Sequence, residues 1–321
     1  MRIAFIGGSG HHYLRRTPLG EHQLAFVADP HDPKASEAFS ATLEPSPDLY
    51  TDVPAMMTAF KPDVVSIGVV YGHMADAIVA CLPFNVPIVT DKPAAASWTA
   101  FERIAELCIA DPSRTLITEF DFRARPEFRA ARLAVRDGRV GRVALITGQK
   151  SYRWGTRPAW YAQREHYGST LLWIASHSID ALRFVTGGEP TCVYAHQANV
   201  TRGSKWGTAE DVATAAFALP GGGSAMVHAD FLRPAAAASH GDDRLRIVGD
   251  HGVVEIIGGR CWLTTTDAAS TDITDTATST GAGPEMLAAA LTGGNEYFST
   301  TESLRTAELL LKTRDRADAA R

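Results

Sequence analysis

Cysteine is scarce in this chain. Cys81, Cys108, Cys192 and Cys261 are the only four in 321 residues, and no two form a Cys-x-x-Cys pair. That excludes a disulfide framework and a thiolate metal cluster, and it suits a reducing compartment where cysteines serve as small apolar residues. Long apolar runs are missing too. None approaches the ~18 residues needed to cross a bilayer. The opening Met1-Arg2-Ile3-Ala4-Phe5-Ile6 has neither the apolar stretch nor the cleavage site of a secretory signal, so a cytoplasmic location is expected. Charge of one sign is also lacking: the formal net charge is -5, with 21% charged residues. Neither nucleic acid nor a membrane surface is therefore expected as a partner, since either usually needs a concentrated basic patch.

What is present is an ordinary globular composition, 45% apolar, on a chain long enough for two domains. Residues 1–122 alternate short β-branched runs with helical patterns, the reading of a parallel sheet with crossover helices. Strands are expected at Arg2–Ile6, Gln23–Ala28, Asp63–Val70, Pro87–Thr90 and Thr115–Phe120, with helices at Met74–Leu82 and Ser97–Ile109. From residue 123 the pattern changes. A helix at Glu127–Arg136 precedes alternating segments at Val143–Lys150, Thr191–Val200, Asp211–Leu219, Ser224–Leu232, Leu245–Val248 and Val253–Ile257, the look of an antiparallel sheet. A helix near Leu171–Val185 interrupts them. Thr264–Thr280 reads as a surface loop or a weak edge hairpin, and Ser303–Ala319 as a closing helix that packs back on the first domain. The fold class expected is α/β plus α+β: a Rossmann domain over 1–122, then an open antiparallel sheet domain over 123–321.

The first strand runs into Gly7-Gly8-Ser9-Gly10-His11-His12. Glycine lets a backbone approach a pyrophosphate closely, and a following helix would present its positive end. The fingerprint is degraded: counted from Gly7, its second position is Ser9 and its third His12. A plain strand-to-helix turn is the competing reading. Asp29, at the tip of the second strand, stands where a carboxylate hydrogen-bonds a ribose 2′-hydroxyl and repels a 2′-phosphate, which favours NAD over NADP. Asp29-Pro30 also suits a simple turn. Arg15 and Arg16 read as a solvated helix face.

Asp91-Lys92-Pro93, between a buried strand and a helix, resembles the Glu-Lys-Pro motif of the glucose–fructose oxidoreductase and inositol dehydrogenase family, Gfo/Idh/MocA. Ile67-Gly68-Val69-Val70-Tyr71-Gly72-His73 resembles the strand and loop that precede it in that family. Phe122-Arg123-Ala124-Arg125-Pro126 resembles the family's entry to the second domain, and Asp137-Gly138-Arg139-Val140-Gly141-Arg142-Val143 its following turn. The family also carries Asp-x-x-x-His on a helix. Here His177 matches the histidine, but Trp173 stands at the aspartate, as in a tryptophan-bearing branch that also shows Gln149-Lys150-Ser151-Tyr152-Arg153-Trp154-Gly155.

The resemblance implies an NAD-dependent oxidoreductase acting on a sugar, cyclitol or related polyol. It implies cofactor contacts from Gly7, Gly8, Ser9, Gly10, His11, His12, Asp29, His73, Asp91, Lys92 and Pro93. Oxidising a secondary alcohol removes a hydride from carbon and a proton from oxygen, and imidazole is the natural base for the second. His177 is the candidate base and Lys92 the cation that steadies the developing alkoxide. The Lys92–Pro93 bond is a candidate cis peptide. Arg123, Trp154, Trp160, Trp173 and His177 are candidate substrate contacts. The aromatics equally suit a core beneath the sheet. Trp173 can stack on a sugar face and donate one hydrogen bond but cannot accept as aspartate does. Arg153 and Arg157 suit either a carboxylate partner or solvent, and the cluster His240–Arg244 either a pocket rim or a surface turn. No metal is expected, because His11 and His12 are adjacent and diverge and no other cluster has ligand spacing.

Two other functions fit the same residues. One is NAD-dependent glycoside cleavage by transient oxidation and elimination. The other is a non-catalytic sensor that binds NAD or a ligand as a signal. A homodimer or homotetramer packing sheet to sheet is expected, because the open face of such a sheet is usually covered.

Overall fold

A computed structural model describes residues 1–207 and 209–319; the end of the expected second domain, 320–321, lies outside the described residues. The chain divides into two compact units. One comprises Met1–Glu119, Glu165–Gly168 and Thr280–Glu308, and the other Phe120–Arg164, Ser169–Ser279 and the chain from Leu309 onward.

The first unit is built on six strands: β1 (Arg2–Ile6), β2 (Gln23–Val27), β3 (Asp48–Tyr50), β4 (Val64–Ile67), β5 (Ile88–Thr90) and β6 (Leu116–Thr118). They order as β3-β2-β1-β4-β5-β6, every neighbour parallel. Chain direction across the sheet reverses between β1 and β4, which opens a crevice at the carboxyl ends of these strands. The central strands read as unbroken apolar runs because both faces are covered: Ile3–Ile6 and Val64–Ile67 are buried throughout. The connecting helices are α1 (Pro33–Ser40), α2 (Val53–Ala59), α3 (Met74–Cys81) and α4 (Trp98–Ala110). Asp32, Asp52 and Ser97 cap α1, α2 and α4 by accepting from the backbone N–H groups of Ala35, Ala55 and Ala100. Helices α1 and α2 went unread in the sequence although each carries an aspartate cap followed by proline.

The element after β1 departs from expectation. Where a helix was expected, Tyr13–Arg16 makes one 3₁₀ turn. Thr17-Pro18-Leu19-Gly20 cannot continue a helix, since proline lacks the N–H and glycine is permissive. No α-helix therefore follows the glycine loop directly in the chain; the helix end beside it is that of α1, whose cap Asp32 accepts from Ser9 Oγ at 3.2 Å.

The second unit holds an eight-stranded sheet: β7 (Val143–Tyr152), β8 (Thr191–Ala198), β9 (Val212–Ala218), β10 (Ser224–Asp230), β11 (Gly241–Gly249), β12 (Gly252–Ile257), β13 (Arg260–Thr265) and β14 (Ala268–Asp272). Their order is β14-β13-β12-β11-β7-β10-β9-β8. All neighbours run antiparallel except β7 and β10, which pair in parallel, so the sheet is mixed rather than purely antiparallel. Parallel neighbours need a crossover, and here the chain between them passes through two helices and two further strands before returning. Strand alternation shows only that one face is buried; it does not reveal the partner's direction.

Further helices are α5 (Pro126–Arg136), α6 (Arg164–Tyr167), α7 (Ala175–Thr186), α8 (Ala282–Leu291) and α9 (Thr300–Asp318). Helices α5 and α7 cover one face of the second sheet, and α7 is buried from Ala175 to Val185. It starts later than the expected Leu171, because Ala175 N reaches back to Thr170 O rather than Leu171 O. The other face carries the cross-strand row Tyr194, Ala216, Met226, Thr147, Arg246 and Glu255, set by strand register. The hairpin β13–β14 takes up the first part of the segment expected as a loop or weak edge hairpin. In the first unit, α8 packs on the 3₁₀ turn. The start of α9 lies along the edge strand β6, where Thr300 Oγ1 and Ser303 Oγ accept from the N–H groups of Leu116 and Thr118.

Candidate active site

In the first unit the loop after β1 is drawn tight. Gly7 has φ of +78°, and a Cβ there would lie 2.7 Å from Gly68 O. Ser9 N and Gly10 N both donate to that carbonyl, at 2.9 and 3.0 Å. A Cβ on Gly10 would fall 2.6 Å from Asp91 Oδ2. That oxygen accepts from His11 N at 2.7 Å, while Oδ1 accepts from Lys92 N at 2.8 Å. The Lys92 ammonium lies 3.8 Å from the same carboxylate, and both side chains are buried. Burial would raise the Asp91 carboxyl, but the charges of Lys92 and His11 hold it at about 2. One carboxylate thus ties the glycine loop to the lysine. Pro93 follows across a cis bond.

Glu119, at the end of β6, shares this buried neighbourhood and went unnoticed in the sequence. Its Oε1 accepts from Tyr13 N at 2.8 Å. Burial first, then the charge of Asp91, push its carboxyl well above the usual range.

His12 occupies the third position of the glycine fingerprint as a wedge. It is buried, stacks on Phe39 with ring centroids 4.4 Å apart, and engages Ser66 Oγ at 2.8 Å and Gly7 O at 3.1 Å. Burial lowers its imidazole to about 4, so near neutrality it is an uncharged packing residue. Arg15 and Arg16 are exposed and border, with Gly8, Gly10 and His11, a cavity of about 560 Å³.

Asp29 lies at the end of β2, 1% exposed. Its Oδ2 accepts from Val70 N at 2.7 Å and its Oδ1 from His31 N at 2.9 Å. The carboxylate therefore fastens the tip of β2 to the chain leaving β4. Each oxygen keeps a further lone pair. It borders a cavity of about 330 Å³, also lined by Ile6, Val69, His31, Asp52 and His73. Apolar walls with a few polar groups at this volume fit the adenosine end of a dinucleotide.

His73 borders this adenosine-sized cavity. Its ring stacks on His31 with centroids 3.5 Å apart, and its Nε2 lies 3.0 Å from His166 Nδ1. Burial and the two neighbouring imidazoles lower its pKa. The distant partner His166 was not foreseeable from spacing. Among the described residues, no group of three or more His, Cys, Asp or Glu is placed to hold a metal ion.

In the second unit, the turn at Asp121–Ala124 surrounds His177. His177 is 3% exposed and its Nδ1 lies 3.0 Å from Asp121 Oδ1. Phe120 meets the ring edge-on at 6.2 Å and Phe122 lies tilted at 5.3 Å. Burial opposes the charge on Asp121, but His177, then Lys150 and Arg125, hold its carboxyl well below the usual range. Lys150 is buried, 4.3 Å above the Phe122 ring and 3.0 Å from Asp243 Oδ1. Burial alone would lower its ammonium, but Tyr152, Asp243 and Asp121 raise it. Arg125 completes the group, reaching Asp243 at 2.7 Å and Glu127 at 2.6 Å. Asp121, Lys150 and Tyr152 were not singled out as site residues from the sequence, and Asp243 was weighed only within the cluster His240–Arg244. The signal available was weak: polar residues on a strand whose neighbours alternate.

The other expected substrate residues fare differently. Arg123 donates through Nε and Nη2 to Asp180 at 2.8 and 2.7 Å, and both groups are buried. That paired geometry commits its guanidinium to holding the turn on α7. Trp160 and Trp173 are buried. Trp154 is half-buried and meets Tyr161, Trp206 and Phe231 edge-on, with Arg202 4.9 Å above its ring. Arg157 lies 4.9 Å from the Phe231 ring centre, capping the same cluster. Near His240, whose ring lies 4.9 Å from that of Tyr152, Asp242 pairs with Arg244 at 2.9 Å.

Comparison with known proteins follows the same division. Residues 1–118 match an oxidoreductase family described as an NAD-binding Rossmann fold, and residues 128–255 match the GFO/IDH/MocA C-terminal domain. Together these matches cover more than half of the chain. A solved structure from Thermotoga maritima, described as an oxidoreductase, is 29% identical with a TM-score of 0.91, covering 100% of this chain and 99% of that one. Levoglucosan dehydrogenase, solved with NADH and levoglucosan, has the same fold at 17% identity and a TM-score of 0.79, covering 100% of this chain and 98% of that one. The oxidoreductase YteT of Bacillus subtilis (strain 168), so named provisionally, is 26% identical over 153 residues. That stretch is 44% of this chain and 34% of YteT, about a third of the relative's length.

Proposed function

The chain belongs to the Gfo/Idh/MocA family of NAD-binding oxidoreductases, and from that premise we propose that it interconverts a secondary alcohol and a ketone on a sugar, cyclitol or related polyol. The observation that carries this reading is the double use of Asp91. One oxygen holds the glycine loop through His11 N and the other holds Lys92, so a buried ammonium is fixed relative to the cofactor loop. The carboxylate lies 3.8 Å from the buried ammonium and gives it a counter-charge where water is excluded.

The loop Gly7–Gly10 and the Asp29 cavity would hold NAD. Bound there, NAD would supply the hydride acceptor for the alcohol carbon, or the hydride donor in reverse. Lys92 stabilises negative charge on the substrate oxygen, and His177 accepts the hydroxyl proton. Trp154 offers an aromatic face to a sugar ring. The sugar class is supported by levoglucosan dehydrogenase, a protein of the same fold. The outer row of the second sheet, with Met226 and Tyr194 exposed, is proposed to pair with a second copy; sedimentation as a monomer at micromolar concentration would refute that point.

The test is an NAD-reduction screen over sugars, inositols, sugar acids and glycosides, repeated with Lys92→Ala. A substrate found with the native protein should lose about 10²–10³-fold in kcat in the variant. Unchanged turnover would reject the role of Lys92 and the dehydrogenase reading with it.

A further inference from the structure

His177 lacks the carboxylate its own helix would be expected to supply, because position 173 is a buried tryptophan outside the regular part of α7. A carboxylate is nevertheless present at the ring. It comes from Asp121, 56 residues earlier, on a turn that runs from the end of β6 into α5. We propose that Asp121 is the positioning carboxylate of His177: it holds Nδ1–H, fixes the ring plane, and leaves proton exchange with the substrate hydroxyl to Nε2.

Three features of the turn point the same way. Phe120 and Phe122 flank Asp121 in sequence and meet the His177 ring edge-on and tilted, so one tripeptide sets both ring and carboxylate. The turn is pinned to the same helix three residues further on, where Arg123 binds Asp180 with two hydrogen bonds. Residues 177 and 180 lie on one face of a helix, so turn and helix are fastened at two successive points. Finally, Asp121 has cationic support besides the histidine, from Lys150 on β7 and from Arg125. Those cations are themselves balanced by Asp243 on β11. Asp121 therefore has cationic support that does not depend on the proton of the imidazole. An ionised carboxylate 3.0 Å from Nδ1 favours, by its charge, the tautomer that carries its proton there, although the contact is an ion-pair distance and not a well-directed hydrogen bond. The balance of the step is simple: the substrate O–H bond breaks, its proton goes to Nε2, and the hydride leaves carbon for the cofactor. Asp121 exchanges no proton.

This role rests on the proposed use of His177 as the base, but its test does not need a substrate. Protein labelled with ¹⁵N at histidine is followed through pH by long-range proton–nitrogen correlation, with His177→Gln identifying the signal. The native protein should show Nδ1 protonated and Nε2 unprotonated in the neutral ring. Asp121→Asn should mix the tautomers and lower the His177 midpoint by about one pH unit or more, and Asp121→Glu should restore part of both. A neutral native ring protonated at Nε2 overturns the proposal, even if Asp121→Asn proves unable to fold. So does an unchanged midpoint in a folded Asp121→Asn protein. If the tautomer is as stated while Lys92→Ala leaves turnover intact, the dehydrogenase reading fails and the pairing stands.

Discussion

Two segments at strand ends hold residues proposed for the site, and they are made in opposite ways. The loop Gly7–His12 leaves β1 and is held by its own backbone. Ser9 N and Gly10 N share Gly68 O, His11 N takes Asp91, and glycine is needed where a Cβ would strike Gly68 or Asp91. The turn Phe120–Arg125 follows β6 and is held by side chains that reach far along the chain: Asp121 to His177, Arg123 to Asp180, Arg125 to Asp243. A segment fixed by backbone sterics tolerates little change in residue size. A segment fixed by ion pairs tolerates little change in charge.

The sharpest way to break this contrast is at Arg123. Arg123→Ala strands a buried Asp180 carboxylate and should destabilise the fold by about 3–5 kcal/mol in urea unfolding. If stability stays native while substrate affinity drops, Arg123 is a substrate residue after all.

The next effect belongs to His12. Its folded pKa is depressed to about 4 from 6.5, so the unfolded chain takes up a proton before the folded one does. Stability from this residue is intact above pH 6.5 and is lost as pH falls through about 4, amounting to about 3 kcal/mol. Unfolding of the native protein and of His12→Phe should therefore diverge in pH dependence within that window and run parallel above it.

Gly10→Ala probes the loop directly. The new methyl must displace the Asp91 carboxylate, at an expected cost of about 1–3 kcal/mol and with weakened NAD binding by calorimetry. Native stability and affinity would show that the loop has room. The smallest effect is expected at Asp29. Asp29→Asn keeps its shape but loses charge and one acceptor for the Val70 and His31 N–H groups, for about 1 kcal/mol. NAD affinity unchanged by this variant would make Asp29 a tie between strands and no more.

The same contrast explains what could be read in advance. The β1 strand was legible to the residue, as were β4, β5 and their helices within a few positions, because buried parallel strands are contiguous apolar runs. The glycine loop was legible because its requirement is local. Its successor was legible only in part: Pro18 and Gly20 stop a helix locally, but the meeting of Tyr13 N with Glu119 Oε1, more than a hundred residues away, has no local signal. His12 read as a cofactor position because motif counting takes no account of the space between Phe39 and Ser66 that its ring fills. Arg123 read as a substrate contact because a motif names a residue without its partner. Asp121 was passed over for the converse reason, since nothing around it in sequence announces an imidazole.

The sequence alone determined most of the strands, the two-domain order, and which residues carry glycine's freedom or a titratable group, because these follow from local sterics and periodicity. Tertiary structure decided which charges meet. It turned β7 and β10 parallel, spent Arg123 on Asp180, and brought Asp121 to His177. Pairing across many residues is set by how layers pack, and no short stretch of chain contains that information.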